Sequence, residues 1–353
     1  MDARAADPRP APVRVRLSEP GELASAVPYL LGFRPAESVV LLSLVDEGAS
    51  RLGLTVRGDI PPDGIGLAWA RDMAAKVLTD RPRAVVAVVV SESGDGEDGL
   101  PHRGLLRDVC VALAGYEVPV AESLLVRGGR WWSYECPGSC CAPGAGTPLP
   151  GGVSELEVAA VAGGVVVERD RDALAGRIAR PGAQARRAMA EVCARVAVEC
   201  ADEIVERGWD AVAEASWTAV LAALARSRPG PPSASAPLTD REVARLLWGL
   251  RDRVVRDRAL ALSLGGDAPA AEQLWTVCTG RAPVPLDAAP ATLLAVSAWL
   301  RGDGAMAGVA LTRALAGSPD YTLARLLAQA LDTCVPPAEL RDLVRRTAAE
   351  GVG

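Results

Sequence analysis

Residues 38–45 read Ser38-Val39-Val40-Leu41-Leu42-Ser43-Leu44-Val45. Valine and leucine in near-continuous succession mark a strand buried on both faces, because polar residues would alternate in if one face met water. A second such run, Ala84–Val90, has the same character. Leu52–Ile60 instead alternates, and the short polar connection Asp46–Arg51 makes it the antiparallel partner of the first run. Between the two buried runs, Pro61-Pro62-Asp63-Gly64 turns the chain into a helix ending near Thr79. After the acidic loop Ser91–Gly99 comes a helix over Arg103–Ala114, then a strand over Val118–Val126. Gly128-Gly129 supplies a two-residue hairpin turn, and Arg130–Cys136 returns. Upstream, Val13–Leu17 reads as a first strand and Ser18 as a helix N-cap. Leu23, Val27, Leu30 and Leu31 follow at helical spacing up to Gly32, with Pro28 expected to kink or restart the helix. Strands alternating with helices and hairpins imply a mixed sheet flanked by helices.

From Gly151 onward the strand signal disappears, apart from Val165–Val167. Ala183–Arg207 and Ala211–Ala225 read as long amphipathic helices, and the segment 151–228 is expected to pack on the α/β domain. Pro229–Pro237 is the clearest linker. Helices resume at Thr239 and continue to Ala349, interrupted at Gly265-Gly266, Pro283–Pro290 and Pro336-Pro337. Leu294-Ala295, Gly302, Ala307, Leu311, Ala314-Leu315 and Pro319 fall at the offsets of a tetratricopeptide hairpin. Ala298 and Gly304 stand where that repeat carries aromatics, and no second copy follows. The fold class is therefore α/β plus all-α: a mixed β-sheet flanked by helices over 13–150, then an irregular tetratricopeptide-like helical bundle.

Composition narrows the function. The chain has 353 residues, 50% of them apolar, enough to fill two cores. Ala84–Val90 is the longest apolar run and far too short to span a bilayer, so no membrane association is expected. Residues 1–12 read as a disordered tail rather than a signal peptide, which places the protein in the cytoplasm and its eight cysteines as thiols. A net charge of −6 disfavours nucleic acid as partner. Of 38 basic residues only Lys76 is a lysine, but the arginines are interleaved with acids. That pattern reads as coding bias of a GC-rich genome rather than a phosphate-binding face.

Several segments together resemble a known family. They are Val27-Pro28-Tyr29-Leu30-Leu31-Gly32-Phe33-Arg34-Pro35, Arg57-Gly58-Asp59 and Gly129-Arg130-Trp131-Trp132-Ser133-Tyr134 with Cys136, Cys140 and Cys141. With Leu294 through Pro337, they resemble the actinobacterial domain of unknown function 4192 family, over roughly Val15–Leu340. The resemblance implies a cytoplasmic protein of this two-part layout; it implies no activity and brings no catalytic residues.

Candidate chemistry is sparse. Cys136, Cys140 and Cys141 supply three thiols in a Pro- and Gly-rich loop, but a closed zinc site needs a fourth ligand. The reading favoured here is structural thiols, with zinc and a redox pair as weaker alternatives; no cofactor is expected. The remaining cysteines sit singly in helical patterns as core filler. Arg130, Trp132 and Tyr134 share one strand face that could stack on a ring, but the favoured reading is a hairpin strand whose aromatics close the end of the sheet. Asp46, Asp59 and Glu92 fall at strand ends, where α/β sheets bind ligands, but the hairpin should hold Asp46 and Asp59 at opposite edges. Arg57 and Asp59, two apart on one face, suit a local ion pair. The lone His102 removes most triad and metal–histidine schemes, and no phosphate-binding glycine loop is present. Two functions remain: a non-enzymatic adaptor whose helical half takes a protein partner, with Arg313 and Arg325 as exposed rim charges, or a ligand binder or enzyme using Arg34, Arg57, Asp59, Arg130, Trp132 and Tyr134.

Overall fold

The computed structural model describes residues 19–46, 51–96, 99–151, 157–158, 166–228 and 237–350. The tail, the strand over 13–17, the Ser18 cap, the start of the short strand at Val165 and nearly all of the linker lie outside the described residues. The chain forms two compact units, one up to Arg171 and one from Asp172 onward. That division falls later than residue 150, where the strand signal ends.

The first unit is built on a mixed sheet. Its strands are β1 (Ser38–Val45), β2 (Arg51–Asp59), β3 (Ala84–Val90), β4 (Val120–Arg127), β5 (Arg130–Ser133) and β6 (Thr147–Pro148). They lie in the order β2-β1-β3-β4-β5-β6, with β3–β4 the one parallel pair. The central strands are the apolar runs: Val39–Leu42 and Val85–Val89 are almost wholly excluded from solvent. β1 therefore pairs on both sides with later segments, and α2 (Gly66–Leu78) carries the chain from β2 across β1 to β3. α2 covers β1 and β2 and packs beside α3 (Arg103–Ala114). Gly58 permits this: a Cβ there would stand 2.8 Å from the Trp69 ring and 2.9 Å from Met73 Sδ.

α1 (Pro20–Leu31) packs against β4 and β5, with Gly21 close to the Trp131 indole. Its N-cap is Glu19, with Glu22 reaching back to the Glu19 N–H at 3.2 Å. The helix runs through Pro28 without restarting and closes at Gly32, whose φ of 72° suits glycine. The return strand is shorter than Arg130–Cys136 and ends at Ser133; the Tyr134 N–H still donates to the Ser123 carbonyl at 2.9 Å, and its hydroxyl donates to the Pro101 carbonyl at 2.7 Å.

The second unit is helical. It comprises α4 (Arg171–Gly176), α5 (Ala183–Arg207), α6 (Trp209–Arg226), α7 (Asp240–Gly249), α8 (Arg253–Ala261), α9 (Ala268–Arg281), α10 (Ala288–Arg301), α11 (Gly304–Gly317), α12 (Thr322–Asp332) and α13 (Pro337–Glu350). At its centre is α10, with 12 of 14 residues buried. A helix apolar all round belongs inside, and α8, α9, α11, α12 and α13 all touch it. Enclosure of this kind differs from stacking in a one-dimensional series, so a tetratricopeptide character is not established by the arrangement. Leu294 and Leu311 are buried and Leu315 is half-buried.

Arg325 is exposed, but Arg313 is not the rim charge expected from sequence. Its guanidinium donates to Asp287 Oδ2 at 2.8 Å, to the Ile178 carbonyl at 2.6 Å and to the Thr279 carbonyl at 3.2 Å. Enough acceptors meet it inside to replace water. α5 packs on α6 and α7 through Met189, Cys193, Val196 and Cys200. No helix among the described residues is long and apolar enough to cross a membrane.

Candidate functional site at the strand ends

The antiparallel and parallel pairings bring four chain segments to one edge of the sheet. Ser38 at the start of β1 is opposite both Asp59 of β2 and Val90 of β3, and Val90 is opposite Val126 of β4. Beyond this edge the α/β architecture places ligand sites. Ser91, the first residue after β3, is buried. Its hydroxyl donates to Glu37 Oε2 at 2.8 Å, lies 3.0 Å from His102 Nε2 and accepts the Ser93 N–H at 3.1 Å. The single hydroxyl proton goes to the carboxylate, so His102 Nε2 carries the hydrogen that it shares with Ser91. Burial pushes the His102 pKa down, against the opposing pull of Glu37 and Asp63, which keeps the ring neutral.

Two of these three residues hold unusual backbone. Glu37 has φ 41° and His102 φ 62°, a region that non-glycine residues enter at a cost. The other oxygen of Glu37 accepts the Glu92 N–H at 2.8 Å, and Glu92 in turn accepts the Gly128 N–H at 3.1 Å. Arg127 donates to the Ser93 carbonyl at 2.6 Å and pairs with Asp95 at 2.9 Å. The loop after β3 is thus fastened to β1, to the β4–β5 turn and to the start of α3. With Ser91 Oγ donating once and accepting twice, no lone pair remains to attack a substrate. The arrangement clamps; it does not activate a nucleophile.

The residues singled out from sequence do not converge. Arg57 and Asp59 do pair at 2.6 Å, and Arg57 also donates to Ser38 Oγ at 2.9 Å. Arg130, Trp132 and Tyr134 lie four strand spacings away, roughly 19 Å. Arg34 is exposed, and its backbone N–H donates to the Glu168 carbonyl at 3.0 Å, while the neighbouring Phe33 ring lies 6.0 Å from the Arg57 guanidinium. Asp46 pairs with Arg51 at 2.8 Å at the opposite edge, as the hairpin demands. Trp132 is buried, with Arg127 4.8 Å from its ring centroid and Gly146 against its ring, so it offers no open stacking face. Tyr134 carries Arg103 at 5.5 Å, and its pKa is pushed far up by burial. Arg130 donates to the Ala145 carbonyl at 3.0 Å and anchors the loop that holds the cysteines. Sequence reasoning missed Glu37 and Ser91. The signal available was position alone: Ser91 directly ends the apolar run Ala84–Val90.

That loop brings three sulfurs together. Cys136 and Cys140 Sγ are 3.8 Å apart and Cys140 and Cys141 Sγ 3.9 Å, and all three lie within 4.8 Å of one another. The 3₁₀ turn Ser139–Cys141 turns adjacent cysteines toward one point. The Gly138 N–H donates to Cys136 Sγ at 3.4 Å, and the Ser133 N–H to Cys141 Sγ at 3.3 Å. The first of these hydrogen bonds, with those from Cys141 and Cys140, holds the Cys136 thiol below its ordinary value. Burial pushes Cys141 up to about 11.

A family model described as Domain of unknown function (DUF4192) matches residues 20–338. No curated protein matches the chain, and no solved structure matches it.

Proposed function

For a chain that belongs to the DUF4192 family, a family whose function is unassigned, we propose a non-catalytic adaptor that docks an amphipathic helix of a protein partner along α5. The observation that carries this is a solvent-facing apolar stripe. Ala190, Ala194, Val198, Ala201 and Val205 are all exposed, Val198 at 62% and Val205 at 87%, on a different side of the helix from the buried Met189, Cys193, Val196 and Cys200. Val198, Ala201 and Val205 stand at i, i+3 and i+7, the spacing of a helix-on-helix seam, and the alanines allow close approach. Strands and loops have no such period, which commits the occupant to a helix. Glu191, Arg195, Asp202 and Glu206 border one side of the stripe and would set register and orientation. The self-satisfied hydrogen bonds around Ser91 support a non-catalytic role. A cytoplasmic setting fits this reading: Cys136 and Cys140 stand adjacent as thiols. An actinobacterial source fits the arginine-dominated basic composition.

The test places a photo-crosslinker at Val205 in the full chain, with a second at exposed Arg325 as reference. A discrete crosslinked protein, lost when Val198→Glu/Ala201→Glu is added while the melting temperature is unchanged, is expected. Crosslinking equal at both positions, or only to a second copy of the chain, refutes the reading.

The strained Glu37 and His102 favour a second reading, in which the sheet edge binds a small polar ligand beside Ser91. A metabolite thermal-shift screen tests it. Stabilisation present in wild type and absent in Ser91→Ala supports it, and no stabilising compound removes it.

A further inference from the structure

We propose that Cys136, Cys140 and Cys141 form a three-thiolate site for a thiophilic d¹⁰ cation, zinc or copper(I), with one coordination position left to an exchangeable ligand. The separations carry the proposal. Tetrahedral zinc with bonds of about 2.3 Å places its sulfur ligands about 3.8 Å apart, and the two sulfur pairs here stand at 3.8 and 3.9 Å. The loop is built around the sulfurs. At Gly138 a Cβ would stand 3.3 Å from Cys136 Sγ and 3.4 Å from Cys140 Sγ, so the absence of a side chain lets the backbone close on both. The Gly138 N–H points at Cys136 Sγ and favours its thiolate form, and the Ser133 N–H points at Cys141 Sγ and opposes in part the burial that holds that thiol up, as outer-shell donors do around bound metals.

Core filling does not account for this cluster. Cys193, Cys200 and Cys278 are buried in helices, as small apolar residues would be, whereas Cys136 is half-buried and Cys140 exposed on a loop. Only Cys141 reaches the interior, where it tethers the turn beneath β5 through Ser133. Three protein ligands with one sulfur at the surface leave the fourth position facing water. The ion so held would be exchangeable, unlike one in a closed four-ligand site. Binding displaces the thiol protons, so affinity rises with pH.

The experiment uses the full chain, reduced and stripped of metal, without oxygen. Cobalt(II) serves as the spectroscopic probe of the zinc arm, through its thiolate charge-transfer band, and competition with a copper(I)-selective chelator reads the other arm. One ion per chain is expected, displaced by zinc in the cobalt arm. Affinity should fall at least about 100-fold in Cys136→Ser and in Cys140→Ser, a larger loss than outer-shell changes produce. Cys140→Ser replaces an exposed side chain and should melt as wild type does, which keeps the result readable if Cys136→Ser fails to fold. Cys334→Ser should bind as wild type. Absence of binding in both arms overturns the proposal, as does binding that survives Cys140→Ser. Oxidation to a single disulfide in a protein that takes up neither metal assigns the loop to redox chemistry instead.

Discussion

Removing the carboxylate of Asp287 should be among the most damaging single changes in the helical unit. Asp287 is fully buried, and its Oδ2 accepts Arg313 Nε at 2.8 Å and Arg180 Nη2 at 3.1 Å. The Arg313 side chain is only 9% exposed, so truncation to Asp287→Ala strands a guanidinium away from water. Breaking a buried pair from one side costs about 3–5 kcal/mol, against about 0–1 kcal/mol for a surface pair. Arg313 keeps the Ile178 and Thr279 carbonyls as acceptors, which argues for the lower end, about 3 kcal/mol. For a unit of this size, that corresponds to a melting temperature lower by about 6–12 °C. Urea unfolding followed by far-UV circular dichroism reads the loss. The double variant Asp287→Leu/Arg313→Met should recover most of it, because apolar replacement of a buried pair is often near neutral. A loss below about 1 kcal/mol in Asp287→Ala would refute the reasoning, since the pair would then be behaving as a surface pair does.

Gly146→Ala should destabilise the α/β unit by about 2 kcal/mol or more, because φ there is +74° and a Cβ would stand 2.4 Å from the Trp132 ring; the matching change at Gly151, where nothing lies within 4 Å, should not. The His102 pKa is lowered in the folded state by burial, so the unfolded chain binds the extra proton first. Stability should therefore be full above the ordinary histidine value of about 6.5 and fall as pH drops below it. Urea titrations across that window check this, and His102→Gln should flatten the slope. Leu294→Ala, in the enclosed helix α10, should cost about 2–5 kcal/mol as a cavity, measured by the same denaturation.

Much of the sheet could be read from residue pattern because its physics is local. Ser38–Val45 and Ala84–Val90 are continuous apolar runs, and Gly128-Gly129 names its own turn. The enclosure of α10 was equally visible in principle, since Leu293 through Leu300 contains no charged residue. What stayed hidden depends on contacts distant along the chain. Ser91 meets Glu37 across 54 positions and Arg180 meets Asp287 across 107, and no periodicity encodes either. Arg313 shows the related limit: an arginine next to apolar residues reads as a surface charge until the carbonyls that satisfy it are known. The cysteines failed for a subtler reason. Spacing alone gives three thiols without a fourth ligand, and the 3₁₀ turn that follows Gly138 is what gathers their sulfurs.

The position of β1 has a consequence for how the chain is made. Both neighbours of this strand, β2 and β3, are synthesised after it. Translation at about 5–20 residues per second leaves roughly 2–9 s between completion of Val45 and of Val90. During that interval Val39–Leu42 has at most one edge satisfied by hydrogen bonds, on a segment with high β-propensity and no charge, the composition that seeds cross-strand aggregation. Arrest of the ribosome before β3 emerges should therefore yield nascent chains that recruit chaperones strongly, and release after β3 should end that recruitment abruptly.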